Sequence, residues 1–95
     1  MLFTFKFTTY YNDKQETCTH VIIFDNLSGK PEEIAIGFSV KSDKDVHCKA
    51  LGQKYAVRNA LRNNVPDKTQ RALIWNNFFS RSKATAKLKG VDNAN

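Results

Sequence analysis

The chain has few of the residues that staple a small fold or bind a metal: two cysteines and two histidines among 95 residues. No C-x-x-C spacing occurs, so the usual zinc signature is missing. The four glycines, Gly29, Gly37, Gly52 and Gly90, lie far apart, which excludes a glycine-rich loop cradling phosphate. No apolar run approaches the ~18 residues that a membrane span needs. The opening segment, Met1 to Phe7, is too short for a secretory h-region and lacks a basic n-region. These absences lead to the expectation of a cytoplasmic protein with reduced thiols at Cys18 and Cys48, no membrane association and no cofactor. Internal repeats and low-complexity blocks are also missing.

Carboxylates are scarce in the second half, and this is the first positive signal. Residues 1–47 hold five Lys/Arg against seven Asp/Glu, whereas residues 48–95 hold ten against two. The overall charge of +6 is therefore concentrated late in the chain. A basic half on an acidic-leaning scaffold points to polyanions as partners, the alternative being a solvated surface that keeps a small protein soluble.

Periodicity gives the architecture. Leu2 to Tyr11 alternates Phe3, Phe5 and Phe7 with Thr4, Lys6 and Thr8, a strand with one aromatic face. A polar connection, Asn12 to Glu16, leads to a second strand, Thr17 to Phe24. Its Val21-Ile22-Ile23-Phe24 run is apolar on both faces, as suits a central position. Turn formers from Asp25 to Pro31 precede a third strand, Glu33 to Lys41, with Ile34, Ile36, Phe38 and Val40 on one side and Ala35, Gly37 and Ser39 on the other. The phenylalanine face of the first strand and the isoleucine face of the third are the expected core surfaces.

The period then changes. Asp43 and Asp45 suit a helix start, and a helix is expected from about Val46 to Asn63 with Val46, Ala50, Val57, Ala60 and Leu61 inward. Gly52 and Ala56, one turn apart, permit close approach to another backbone. Val65-Pro66 ends this helix, and Asp67 caps a second in a capping-box arrangement with Gln70. Ile74, Trp75, Phe78 and Phe79 are its apolar face. The expected fold is α+β: a three-stranded antiparallel meander followed by two helices on one face, β-β-β-α-α. Residues 1–80 form the domain, and residues 81–95 a basic, flexible tail.

Lys54, Arg58 and Arg62 are spaced i, i+4, i+8 and line one helix side, with Tyr55 and His47 nearby. Stacked like charges stabilise nothing locally, and a phosphate backbone would relieve them. Arg81, Lys83, Lys87 and Lys89 extend the footprint as a flexible arm. A solvated helix face is the bland alternative. Phe3, Phe5 and Phe7 resemble core more than a base-stacking platform.

Enzyme chemistry finds little support. Cys18 and His20 share a strand face, but His47 and Cys48 are adjacent and point about 100° apart on a helix, which is awkward for joint coordination. For the same reason His47 cannot activate Cys48, and the remaining carboxylates are scattered or serve as caps. A non-enzymatic binding protein without a metal site is the expectation.

Gly37-Phe38-Ser39-Val40, Asp43, Asp45, the run Gly52 to Leu61, and Arg71, Ile74, Trp75 and Phe78 together resemble a group of short proteins encoded by bacteriophages and prophages. Gln53 stands where that group has arginine, and the likeness covers residues 36–79. It implies a phage setting inside a host cell, where small single-domain proteins modify or inhibit host machinery. Within that setting the leading expectation is an accessory protein engaging nucleic acid or a nucleoprotein complex. The rival is an inhibitor docking on a host enzyme or defence complex through Tyr10, Tyr11 and Tyr55. Self-association through a strand edge is a further expectation.

Overall fold

A computed structural model of the chain describes residues 2–41 and 49–89. The three alternating segments become β1 (Phe3–Tyr11), β2 (Thr17–Asp25) and β3 (Glu32–Lys41). They pair antiparallel in the order β1-β2-β3, so the doubly apolar segment is the central strand. Asn12 shapes the first hairpin. Its Oδ1 accepts from the Lys14 and Glu16 amides, and its Nδ2 donates to Glu16 Oε1.

Three helices follow: α1 (Lys49–Asn64), α2 (Lys68–Phe79) and a single turn, α3 (Lys83–Ala86). Pro66 separates α1 from α2 because it cannot continue a helix. Asp67 caps α2 by accepting from the Thr69 amide, one position earlier than the box with Gln70 requires. The fold is α+β with strands preceding helices, as the periodicity indicated. The Val46 to Cys48 start expected for the first helix, and the Asp43 and Asp45 caps, lie outside the described residues.

The core lies between the helices and one sheet face. Phe3, Phe5, Val21, Ile23 and Ala35 meet Ala56, Val57, Ala60, Leu61, Ile74 and Phe78. Five rings form the part nearest β1: Phe78 packs edge-on against Phe5, Phe7, Trp75 and Phe79, while Trp75 stacks on Phe79 at 5.4 Å.

One expectation is reversed. The isoleucine face of β3 points away from the helices, leaving Ile36, Phe38 and Val40 43%, 57% and 48% exposed. The inward face is the small one, Ala35, Gly37 and Ser39. Gly52, Ala56 and Ala60 make a ridge of small residues at i, i+4, i+8 on α1, and such a ridge seats deeply only on a small-residue surface. At Gly37 the fit leaves no room, since a methyl there would overlap Ala56 O and Ala60 N and stand 2.7 Å from Ala60 Cα. Gly52 also lies on the sheet: its carbonyl accepts from Ser39 Oγ at 2.8 Å. The exception on the bulky side is Ile34. A register shift between Ile23 and Phe24 leaves it opposite no single partner, and it packs against the core. Leaving Phe38 and its neighbours in water forgoes on the order of 2 kcal/mol each.

The chain end is also revised. Residues 81–89 fold onto the domain instead of trailing as an arm. Ser82 and Thr85 close a capping box at α3, Thr85 is buried, and the turn continues through hydrogen bonds from Leu88 N to Thr85 O and Lys89 N to Ala86 O. Residues 90–95 lie outside the described residues.

Candidate anion-binding cleft

The i, i+4 spacing that aligned the basic residues of α1 brings Arg58 and Arg62 to the groove between α1 and α2. On the other wall, α2 contributes an i, i+4 pair of its own, Arg71 and Trp75. With Leu61 as floor, these residues line a cleft of about 340 Å³. Three guanidinium groups thus face one hollow, and among the described residues no carboxylate lines it.

Each wall is fixed by ordinary structural means. Arg71 Nη1 donates to Val65 O at 2.9 Å and to Pro66 O at 2.6 Å, tying the linker carbonyls beyond α1 to the first turns of α2. One nitrogen carries both bonds, and the guanidinium has further N–H groups. Arg58 lies over the Tyr55 ring, 4.9 Å from its centroid, which fixes Tyr55 as a platform for the arginine. Trp75 is half-buried, with Phe79 stacked on it at an interplanar angle of 15°. An Arg71→Ala variant is expected to lose about 1–3 kcal/mol, the worth of charged hydrogen bonds to otherwise unpaired carbonyls. Urea unfolding checks this, and an unchanged midpoint would show that the linker holds itself.

Lys54 does not belong to this outward set, which corrects the three-residue stripe. It is 4% exposed, its Nζ donates to Leu88 O at 2.9 Å, and the ammonium sits 5.5 Å from the Phe79 ring centroid. Its stem is packing material and its head ties the turn after α3 to α1. That tie holds the turn after α3 against α1, and α3 itself rests on both α1 and α2. Lys83, Lys87 and Lys89 are therefore exposed on a fixed support beside α1 and α2. Arg81 is spent differently. It covers the rings of Phe7 and Phe5 at 4.8 and 5.7 Å, and partial burial pushes its guanidinium below the ordinary arginine value. Arg58 and Arg62 line the cleft, Lys83, Lys87 and Lys89 are exposed on α3 and the turn after it, Arg81 closes the aromatic cluster, and Lys54 is internal.

The other sequence candidates separate clearly. The Cys18 thiol is buried and points to Glu16 O at 3.7 Å. Among the described residues no cluster of three or more His, Cys, Asp or Glu side chains could hold a metal. His47 and Cys48 lie outside the described residues. Among the described residues no helix is long and apolar enough to cross a membrane. Arg71 and Trp75 are the cleft residues that sequence reasoning had not joined to Arg58 and Arg62. The signal was two i, i+4 pairs flanking a proline linker short enough to fold the helices back. No known protein family, curated protein or solved structure matches this chain.

Proposed function

We propose that this chain is a non-enzymatic, phage-type accessory protein that binds nucleic acid, alone or in a nucleoprotein complex, through its helical layer. The observation that carries the reading is the convergence of Arg58, Arg62 and Arg71 on one hollow beside Trp75, with no lining carboxylate among the described residues. Guanidinium groups are the donors best matched to phosphate oxygens, and three of them line this hollow. Lys83, Lys87 and Lys89, on α3 and the turn after it, lengthen the footprint along the strand of phosphates.

Trp75 is the sole tryptophan and lines the cleft, so its emission reports occupancy directly. Titration with an oligonucleotide should change that emission, with log K falling linearly against log salt. Arg62→Gln should weaken binding several-fold and reduce the slope by about 0.8, one phosphate contact's worth. Binding that stays flat from low to high salt would defeat the proposal.

A second reading, docking on a host enzyme, is favoured by Tyr11, which is 70% exposed at the end of β1 beside the half-exposed Tyr10. A host protein retained from nuclease-treated lysate, and lost with Tyr11→Ala, would select it over the first.

A further inference from the structure

The helices cover one face of the sheet and leave the other open. Across β1, β2 and β3 its rows read Tyr10, Cys18, Val40; Thr8, His20, Phe38; Lys6, Ile22, Ile36; and Thr4, Phe24, Glu33. Tyr10, Ile36, Phe38 and Val40 are exposed, and Ile22 and Phe24 are half-buried among them. A contiguous apolar face of this kind marks an interface. We infer that it seats a second copy of this chain, packed face to face about a two-fold axis running along β2.

Four observations select that occupant. Two backbone groups of the β3 edge and one of the β1 edge already hold side-chain partners: Asn64 Oδ1 accepts from Ile36 N at 3.0 Å, Asn59 Nδ2 donates to Phe38 O at 2.8 Å, and Asn77 Oδ1 accepts from Phe3 N at 3.3 Å. Edge-to-edge pairing, the sequence expectation, would have to displace these side chains, whereas face-to-face packing leaves them in place. The open face is also self-complementary in charge. Its rows carry one cation, Lys6, and one anion, Glu33, on opposite outer strands and one row apart.

An axis along β2 lays β1 of one copy over β3 of the other. Lys6 then lies one row, about 7 Å along the strand, from the second copy's Glu33 across sheets about 10 Å apart, a gap the two long side chains span, twice by symmetry. An axis across the strands would set Lys6 beside the other copy's β1 and leave Glu33 over apolar residues. The same placement brings the second copy's Ile36 over a shallow hollow lined by Thr4, Phe5, Lys6, Phe24 and Pro31. Finally, the excess cations of this molecule lie on its helical layer, so back-to-back sheets turn both basic layers outward and keep them apart.

Three strands of nine or ten residues offer a footprint of roughly 400 Å² per copy, against about 800 Å² in a standard interface. The dimer is accordingly weak and reversible.

Sedimentation equilibrium of the full chain without nucleic acid, from about 10 µM to about 1 mM, tests this independently of the cleft. The expected result is a reversible monomer–dimer equilibrium that Phe38→Asp abolishes while leaving circular dichroism unchanged. Lys6→Glu and Glu33→Lys should each weaken association, and the two together should restore it. A chain that stays monomeric throughout, associates regardless of Phe38→Asp, or shows no rescue in the double reversal would overturn the inference. A monomer would leave the face to an unrelated protein.

Discussion

Gly37→Ala is expected to cost about 3 kcal/mol, the upper end of overpacking penalties, and Gly37→Val to prevent folding. The added carbon has no direction in which to relax. It would meet Ala56 O, Ala60 N and Ala60 Cα, all backbone atoms of a helix bonded to the sheet beside it through Ser39, Asn59 and Asn64. Relief requires α1 to lift away, which opens the contacts of Val57 and Leu61 at the same time. The neighbouring Phe38→Ser, by contrast, changes a large side chain on the open face and should stay within about 0.5 kcal/mol in dilute solution. Urea unfolding at low micromolar protein compares the two. Wild-type stability in Gly37→Ala would mean that α1 does not rest on β3 as described.

That contrast shows where the sequence was legible. Alternation located all three strands and placed Ile36, Phe38 and Val40 correctly on a shared face, because period-two patterning depends only on backbone geometry. Which face turns inward depends on the partner, and hydrophobicity chose the bulky side. The decisive information sat elsewhere, in the small ridge of Gly52, Ala56 and Ala60, which fits only a surface of Ala35, Gly37 and Ser39. The close approach at Gly52 had been read from α1 alone, without carrying its consequence to β3.

The cleft was half legible for a similar reason. Arg58 and Arg62 followed from helical spacing, while Arg71 and Trp75 required folding α2 back on α1. Residues 81–89 misled because their composition, basic and poor in large apolar residues, matches a solvated arm. Their order comes from specific bonds: the Ser82–Thr85 box and the carbonyl of Leu88 held by Lys54. No average over composition reports such bonds.

Lys54 separates the two readings of the basic helix most sharply. If it were a phosphate contact, Lys54→Ala would weaken oligonucleotide binding and leave stability alone. The structure predicts the reverse order of effects. Position 54 lies at i−3 from Val57 and i−7 from Leu61, on the row that faces the core, so its stem belongs with the apolar stripe extended back by one turn. Truncation removes a buried stem from beside Phe79 and strips Leu88 O of its charged donor, which should together cost about 3 kcal/mol. It also frees the turn beyond α3, so trypsin should cut after Lys83 and Lys87 well before the rest of the chain unfolds. Lys54→Met keeps the stem and loses only the donor, and roughly half of that cost should return. Arg62→Gln, exposed and on the cleft, should show the opposite pattern, with binding reduced and stability unchanged. Lys54→Ala with full stability and slow proteolysis would restore Lys54 to the surface and detach α3 from the domain. Lys83, Lys87 and Lys89 would then bind as a loose arm after all, and a fixed support for them would no longer describe how this layer meets phosphate.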